Sequence, residues 1–201
     1  MDTEGPPRLH QSDVNPDHPG TSGIWTFVFI DMVVFAILFL VFVTEKFRLP
    51  EIFRTSQAQL NPEIGLVGTF LLLTSSWAVA RSIHHVRVGN GRIARLELEI
   101  AIVLGLAFVA NKFNEYADKF AHGLTPVTNG FFTFYFLITF LHFLHVIGGL
   151  LFLSHCRLRM AGELGTANYR KKIENTGHFW HFVDMLWLFI FPMFYLTGAA
   201  A

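Results

Sequence analysis

The sequence predicts an all-α polytopic membrane protein, a bundle of five transmembrane helices behind a polar amino-terminal tail. Three observations lead there. Apolar residues make up 52% of the chain, 23 of the 201 residues are Phe, and only 15% are charged. Several apolar runs approach the length of about twenty residues that a helix needs to cross a bilayer, longer than a soluble core requires. No stretch alternates with the period of a strand and no internal repeat is visible, so helices are the expected spanning elements.

Residues 1–23 contain Pro, Gly, Asp, His and Ser with hardly an aliphatic side chain. Such a segment cannot bury enough surface to offset its ordering entropy, which predicts a disordered tail. It lacks the basic start of a signal peptide, so the helix after it is expected to be retained. The membrane domain, 24–201, then holds five spans. The first, 24–43, has one charge, Asp31. The second, 64–80, carries the hydroxyl patch Thr74-Ser75-Ser76. The third, 97–116, has a purely apolar centre from Ile100 to Ala110 and continues through Asn111, Lys112, Asn114, Glu115 and Tyr116. The fourth, 131–153, is interrupted by His142 and His145, followed by Gly148 and Gly149. The fifth, 179–196, is led in by a polar run from Glu174 and contains Pro192. That proline removes one backbone hydrogen bond and frees the carbonyl of Leu188, predicting a bend. Loops of about 15–25 residues would join these spans.

Charge supplies orientation and several exclusions. The tail and the loops after spans two and four carry Arg8, Arg81, Arg87, Arg92, Arg95, Arg157, Arg159, Arg170, Lys171 and Lys172. The opposite side has Lys46, Arg48, Arg54, Lys112 and Lys119. The excess of basic residues places the amino terminus in the cytoplasm, with the basic loops as ordinary anchors. A net charge of zero gives no case for nucleic-acid binding. The single cysteine, Cys156, excludes an intrachain disulfide and reads as a small apolar residue.

Ionisable residues inside a membrane cost about 2.5–3.5 kcal/mol each on the insertion scale, so each calls for a partner. Glu174, His178, His181 and Asp184 lie three or four apart and form one stripe of a helix. His142 and His145 form a second pair, one turn apart, and the glycines after them admit a close helix. Lys119, four residues after Glu115, is its candidate ion-pair partner. Asp31 is either a packing hydrogen bond or a proton-carrying carboxyl. The four histidines are either metal ligands, with Glu174 and Glu115 beside them, or neutral hydrogen-bonding partners for Asp184, Glu115 and backbone carbonyls. His84-His85 sits in a basic loop and reads as surface.

These residues carry a resemblance. Trp180-His181-Phe182-Val183-Asp184-Met185-Leu186-Trp187, with Glu174 seven residues before His181, resembles the carboxy-terminal signature of subunit III of haem–copper terminal oxidases. Phe140-Leu141-His142-Phe143-Leu144-His145-Val146 is similar to that family's paired-histidine motif, with Phe143 where a Gly is usual. Asn114-Glu115-Tyr116 matches its Glu-Tyr pair, and Asp31 falls where many members have a buried glutamate. The resemblance implies a short five-helix branch of the family in a bacterial cytoplasmic membrane, either an oxidase subunit or an accessory protein of nitric oxide reductase. It implies a non-catalytic chain without its own haem or copper, bound phospholipid, and a haem- and copper-bearing catalytic partner. Asp31 and Glu115 become lipid- or proton-linked carboxylates, and His142, His145, Glu174, His178, His181 and Asp184 an interhelical polar network. The alternatives from other classes are a di-metal desaturase or oxygenase built on the histidines, and a proton-coupled transporter using Asp31 and Glu115.

Overall fold

A computed structural model describes residues 22–196. The predicted tail lies outside them except for Ser22 and Gly23, which open the first helix. The described chain is helical: α1 (Ser22–Arg48), α2 (Pro50–Gln57), α3 (Pro62–Arg87), α4 (Gly91–Ala121), α5 (Gly130–Glu163) and α6 (Ala167–Phe191), ending in a π turn from Pro192 to Leu196.

The helices run well past the apolar cores that announce them. Arg, Glu, Leu and Ala flank those cores and are good helix formers, so little stops the helix at the edge of the greasy stretch. The long loops expected from hydropathy therefore shrink. Three residues, 88–90, join α3 to α4, and three, 164–166, join α5 to α6. Gly89 and Gly165 supply the positive φ that these reversals need, at 77° and 90°. Asn61, Asn90, Asn129 and Thr166 cap the four helices that follow them, each accepting a backbone N–H.

α3, α4, α5 and α6 close into a ring in which α3 touches α4, α4 touches α5, α5 touches α6 and α6 returns to α3. Trp180 of α6 fills the centre, seated against two glycines. A Cβ on Gly149 would lie 2.5 Å from its ring and one on Gly105 3.0 Å. Gly149 thus provides the close helix approach expected of the glycine pair, whereas a Cβ on Gly148 would meet nothing within 4 Å.

α1 lies outside the ring against α5 and α6. Its inward residues, Val28, Asp31, Phe35, Leu38 and Phe42, repeat with the 3.5-residue period of a coiled-coil seam. The rest of its surface is apolar and open, with Phe29 67% and Leu40 68% exposed, as suits a helix bathed in lipid. Phe42 anchors its far end in an aromatic knot with Phe53 of α2, Phe131 of α5 and Phe194 of the π turn, at ring separations of 4.7–6.3 Å. The short α2 has no hydropathy signal and was not expected. It closes that end of the bundle: Gln57 Nε2 donates to the carbonyls of Met193 at 3.1 Å and Phe194 at 2.8 Å, satisfying the π turn that follows Pro192.

Four of the described helices are long and apolar enough to cross a membrane: α1, α3, α5, and α6 with its π turn. The fifth expected span, 97–116, falls within α4, which has 31 residues but fails on composition. The reason is physical. Its buried stripe runs Glu97, Ala101, Gly105, Phe108, Lys112, Glu115, Lys119, so the face turned into the protein is ionic at both ends.

Candidate functional site: buried ionic and imidazole groups between the helices

The innermost group is Lys112, whose side chain is 2% exposed, as is that of Glu115. Its Nζ donates to Glu115 Oε2 at 2.9 Å, Tyr135 Oη at 3.2 Å and Tyr195 Oη at 2.8 Å. The two phenols then donate to Glu115 Oε1, at 2.8 Å from Tyr135 and 2.6 Å from Tyr195. All three ammonium protons and both carboxylate oxygens are thereby engaged. The rings of Tyr116, Tyr135, Trp187 and Tyr195 surround the ammonium at 5.0–5.5 Å, within cation–π range. This corrects the expected Lys119–Glu115 pair. Lys119 instead reaches the Gln59 carbonyl at 3.0 Å and Asp118 at 3.3 Å. Lys112 lies three residues before Glu115, so either lysine satisfied the helix rule; both face inward, and the neighbours across from them, Tyr135 and Tyr195 against the Gln59 carbonyl, separate them.

Asp31 meets His145, with Oδ2 2.6 Å from Nε2. Proximity more than alignment sets the contact, since Oδ2 lacks a regular hydrogen bond. The other ring nitrogen, Nδ1, lies 2.8 Å from the Leu141 carbonyl. A carbonyl only accepts, so Nδ1 carries hydrogen and the ring is either protonated or has its lone pair on Nε2. The contact ties α1 to α5. Phe27, Phe35 and Phe179 pack around His145 at 5.9–6.3 Å.

The expected stripe on α6 does not act as one unit. Glu174 reaches α3, accepting from Arg87 Nε at 2.9 Å. His178 rests against the Trp25 ring of α1 at 5.7 Å. His181 Nδ1 is 2.5 Å from Ser76 Oγ, from the hydroxyl patch on α3. Asp184 is buried beside Ser76, yet neither of its oxygens has a hydrogen bond of regular geometry among the described residues. Ser75 bonds instead to the Ala101 carbonyl, tying α3 to α4 at 2.8 Å.

His142 also departs from expectation. It bonds to neither Glu115 nor the α6 stripe; both ring nitrogens are buried without a hydrogen-bond partner among the described residues. The ring stacks on Trp187 at 5.2 Å and meets Phe108 edge-on at 5.9 Å. Trp187 is held in turn by donation from Nε1 to Thr69 Oγ1 at 2.9 Å. The four histidines thus go to different neighbours. Among the described residues, no group of three or more His, Cys, Asp or Glu side chains is placed to hold a metal ion.

At the end of the bundle formed by the α3–α4 and α5–α6 turns, acids and bases pair between helices in a way the sequence did not disclose. Arg81 meets Glu97 at 2.7 Å, with His85 3.8 Å from the same carboxylate, and Arg157 bonds to Glu99. Lys172 and Arg159 both reach Glu163, at 2.9 and 3.6 Å. Cys156 is buried with Sγ 3.4 Å from Thr176 Oγ1.

Comparison with known proteins fits this arrangement. A family model described as cytochrome c oxidase subunit III matches residues 14–199. The chain is 29% identical over 181 residues to the quinol oxidase subunit 3 of Bacillus subtilis, covering 88% of this chain and 86% of that protein. It is 27% identical over 192 residues to a probable quinol oxidase subunit 3 of Staphylococcus epidermidis, covering 95% and 92% respectively. A probable quinol oxidase subunit 3 of Staphylococcus aureus is 26% identical over 192 residues.

Proposed function

The chain belongs to the cytochrome c oxidase subunit III family, and we propose that it is the non-catalytic third subunit of a bacterial terminal oxidase, packed beside a catalytic subunit that holds the haem and copper. The relatives named above are quinol oxidase subunits, and they lend no support to the nitric oxide reductase accessory reading. The di-metal reading gains nothing either, because its four histidines diverge.

One observation carries the proposal. The deep ionic groups are spent on contacts within the chain, Lys112 and Glu115 on two tyrosines and Asp31 on His145, so they act as helix-to-helix fasteners. Fasteners of this kind favour one arrangement of helices because that arrangement brings these partners together. A rigid apolar body of this shape is a lateral support for a neighbour in the membrane.

In the same reading α4 is a fifth span, its ionic stripe shielded by α3, α5 and α6, and the amino terminus is cytoplasmic. An apolar cleft of about 470 Å³ between α1 and α5, lined by Phe27, Leu144, Gly148 and Phe152, would take a phospholipid acyl chain. His145 lines that cleft with Asp31 beside it, and this pair is the one through which the subunit would support proton supply. The site is the bacterial cytoplasmic membrane. The testing experiment is isolation of the tagged chain in mild detergent, with identification of its companions. Recovery of a haem–copper catalytic subunit is the expected result, and recovery of the chain alone overturns the proposal.

A further inference from the structure

Between α1 and α6 lies a second cavity, of about 310 Å³, lined by Trp25, Met32, His178, His181, Phe182 and Met185. Ile24 and Val28 complete its largely apolar walls, yet two imidazoles border it. His178 makes no hydrogen bond to a described residue, and its one ring contact is with Trp25. His181 uses only Nδ1, on Ser76, which leaves Nε2 without a hydrogen bond among the described residues. Two imidazoles with nitrogens unbonded to described residues therefore border a largely apolar chamber at one edge of the expected spans, and a ligand with oxygen atoms would pair with them.

We propose that this cavity binds the ring of a membrane quinone or quinol. The chemistry of the imidazoles suits this ligand in both its redox forms. A neutral imidazole offers one donor and one acceptor, so it can serve both the carbonyl oxygens of a quinone and the hydroxyls of a quinol. The Ser76–His181 contact can run in either direction, because a hydroxyl both donates and accepts. His181 Nε2 can thus present a proton or a lone pair without any side chain leaving its place. Trp25 and Phe182 supply flat surfaces for the ring, and α1, with most of its surface open to lipid, leaves a lateral way in for the apolar tail. An acyl chain alone would fill the space but leave the nitrogens unpartnered. The inference goes beyond the assignment as third subunit and requires no electron transfer within this chain.

The test is photolabelling of membranes containing the full chain with an azido-substituted benzoquinone, followed by peptide mapping. Saturable label is expected within α1 between Trp25 and Met32, or within α6 between His178 and Met185. A decyl-tailed benzoquinone should compete, and oleate at the same concentration should not. His178→Leu, which within the chain loses only a ring contact, should reduce labelling about tenfold, the loss expected for about one hydrogen bond's worth of binding, and Met32→Trp, which keeps both imidazoles but fills the chamber, should reduce it by exclusion. Absence of saturable label in the wild-type chain, equal displacement by oleate, or unchanged labelling in both variants overturns the proposal. The wild-type competition stands whether or not either variant folds.

Discussion

Lys112 carries three N–H bonds into the middle of the bundle, and each ends on an acceptor supplied by this chain. Removing one partner strands the other, and breaking a buried pair in this way costs about 3–5 kcal/mol. Lys112→Met and Glu115→Leu are each expected to destabilise the protein by that order. The double variant should be less destabilised than the sum of the two, because neither charge is then left alone. Unfolding followed by circular dichroism in detergent measures all three, and strict additivity would show that the two groups do not act as a pair. At Asp31 the outcome depends on what replaces the carboxyl. Asparagine can donate to His145 Nε2 and keep the contact, so Asp31→Asn should retain near-native stability. Asp31→Leu leaves the ring nitrogen unpartnered and should cost about 1–3 kcal/mol. Equal stability of the two variants would contradict the hydrogen-bonded reading of that pair.

Among the elements, α5 and α6 meet most closely where Gly149 faces Trp180. A side chain at Gly149 must displace the indole, and overpacking of this kind costs about 1–3 kcal/mol. Gly149→Leu is therefore expected to lower the melting temperature, whereas Gly148→Ala, with open space around its Cβ, should remain within about 0.5 kcal/mol of wild type. Similar losses at both glycines would place the α5–α6 contact elsewhere. The element scale also shows what could be read beforehand. α1, α3, α5 and α6 were visible because their apolar runs are long enough to declare themselves. α4 was only partly visible, because much of the face it buries is ionic, and an average over its residues hides that they face inward. α2, eight residues long, has no hydropathy signal at all. Helix spacing identified the faces of Glu115, His145 and Glu174 but not the neighbours across from them. Lys112, Asp31 and Arg87 became their partners through packing that no local pattern encodes.

At the scale of the whole molecule, the ring of α3 to α6 with α1 laid along its side is a body whose ionic groups turn inward and whose lipid-facing surface is apolar. If α4 spans the membrane, the short turns at 88–90 and 164–166 share one side, and the loop at 122–129 faces the other. Single cysteines placed at the exposed Val88 and Asn168, beside those turns, should react with an impermeant thiol reagent from the cytoplasmic side, and one at Val127, which is 90% exposed, from the opposite side. Labelling of all three from one side would remove α4 from the membrane. The central claim, that Lys112, Glu115 and Asp31 are occupied within the chain and its histidines diverge, so that it accompanies a redox centre without holding one, is tested most directly by metal analysis. The purified chain, separated from its companions, should contain no stoichiometric iron or copper, with the metal and the haem spectrum remaining in the partner fraction. One or more transition-metal atoms retained per chain would contradict the account.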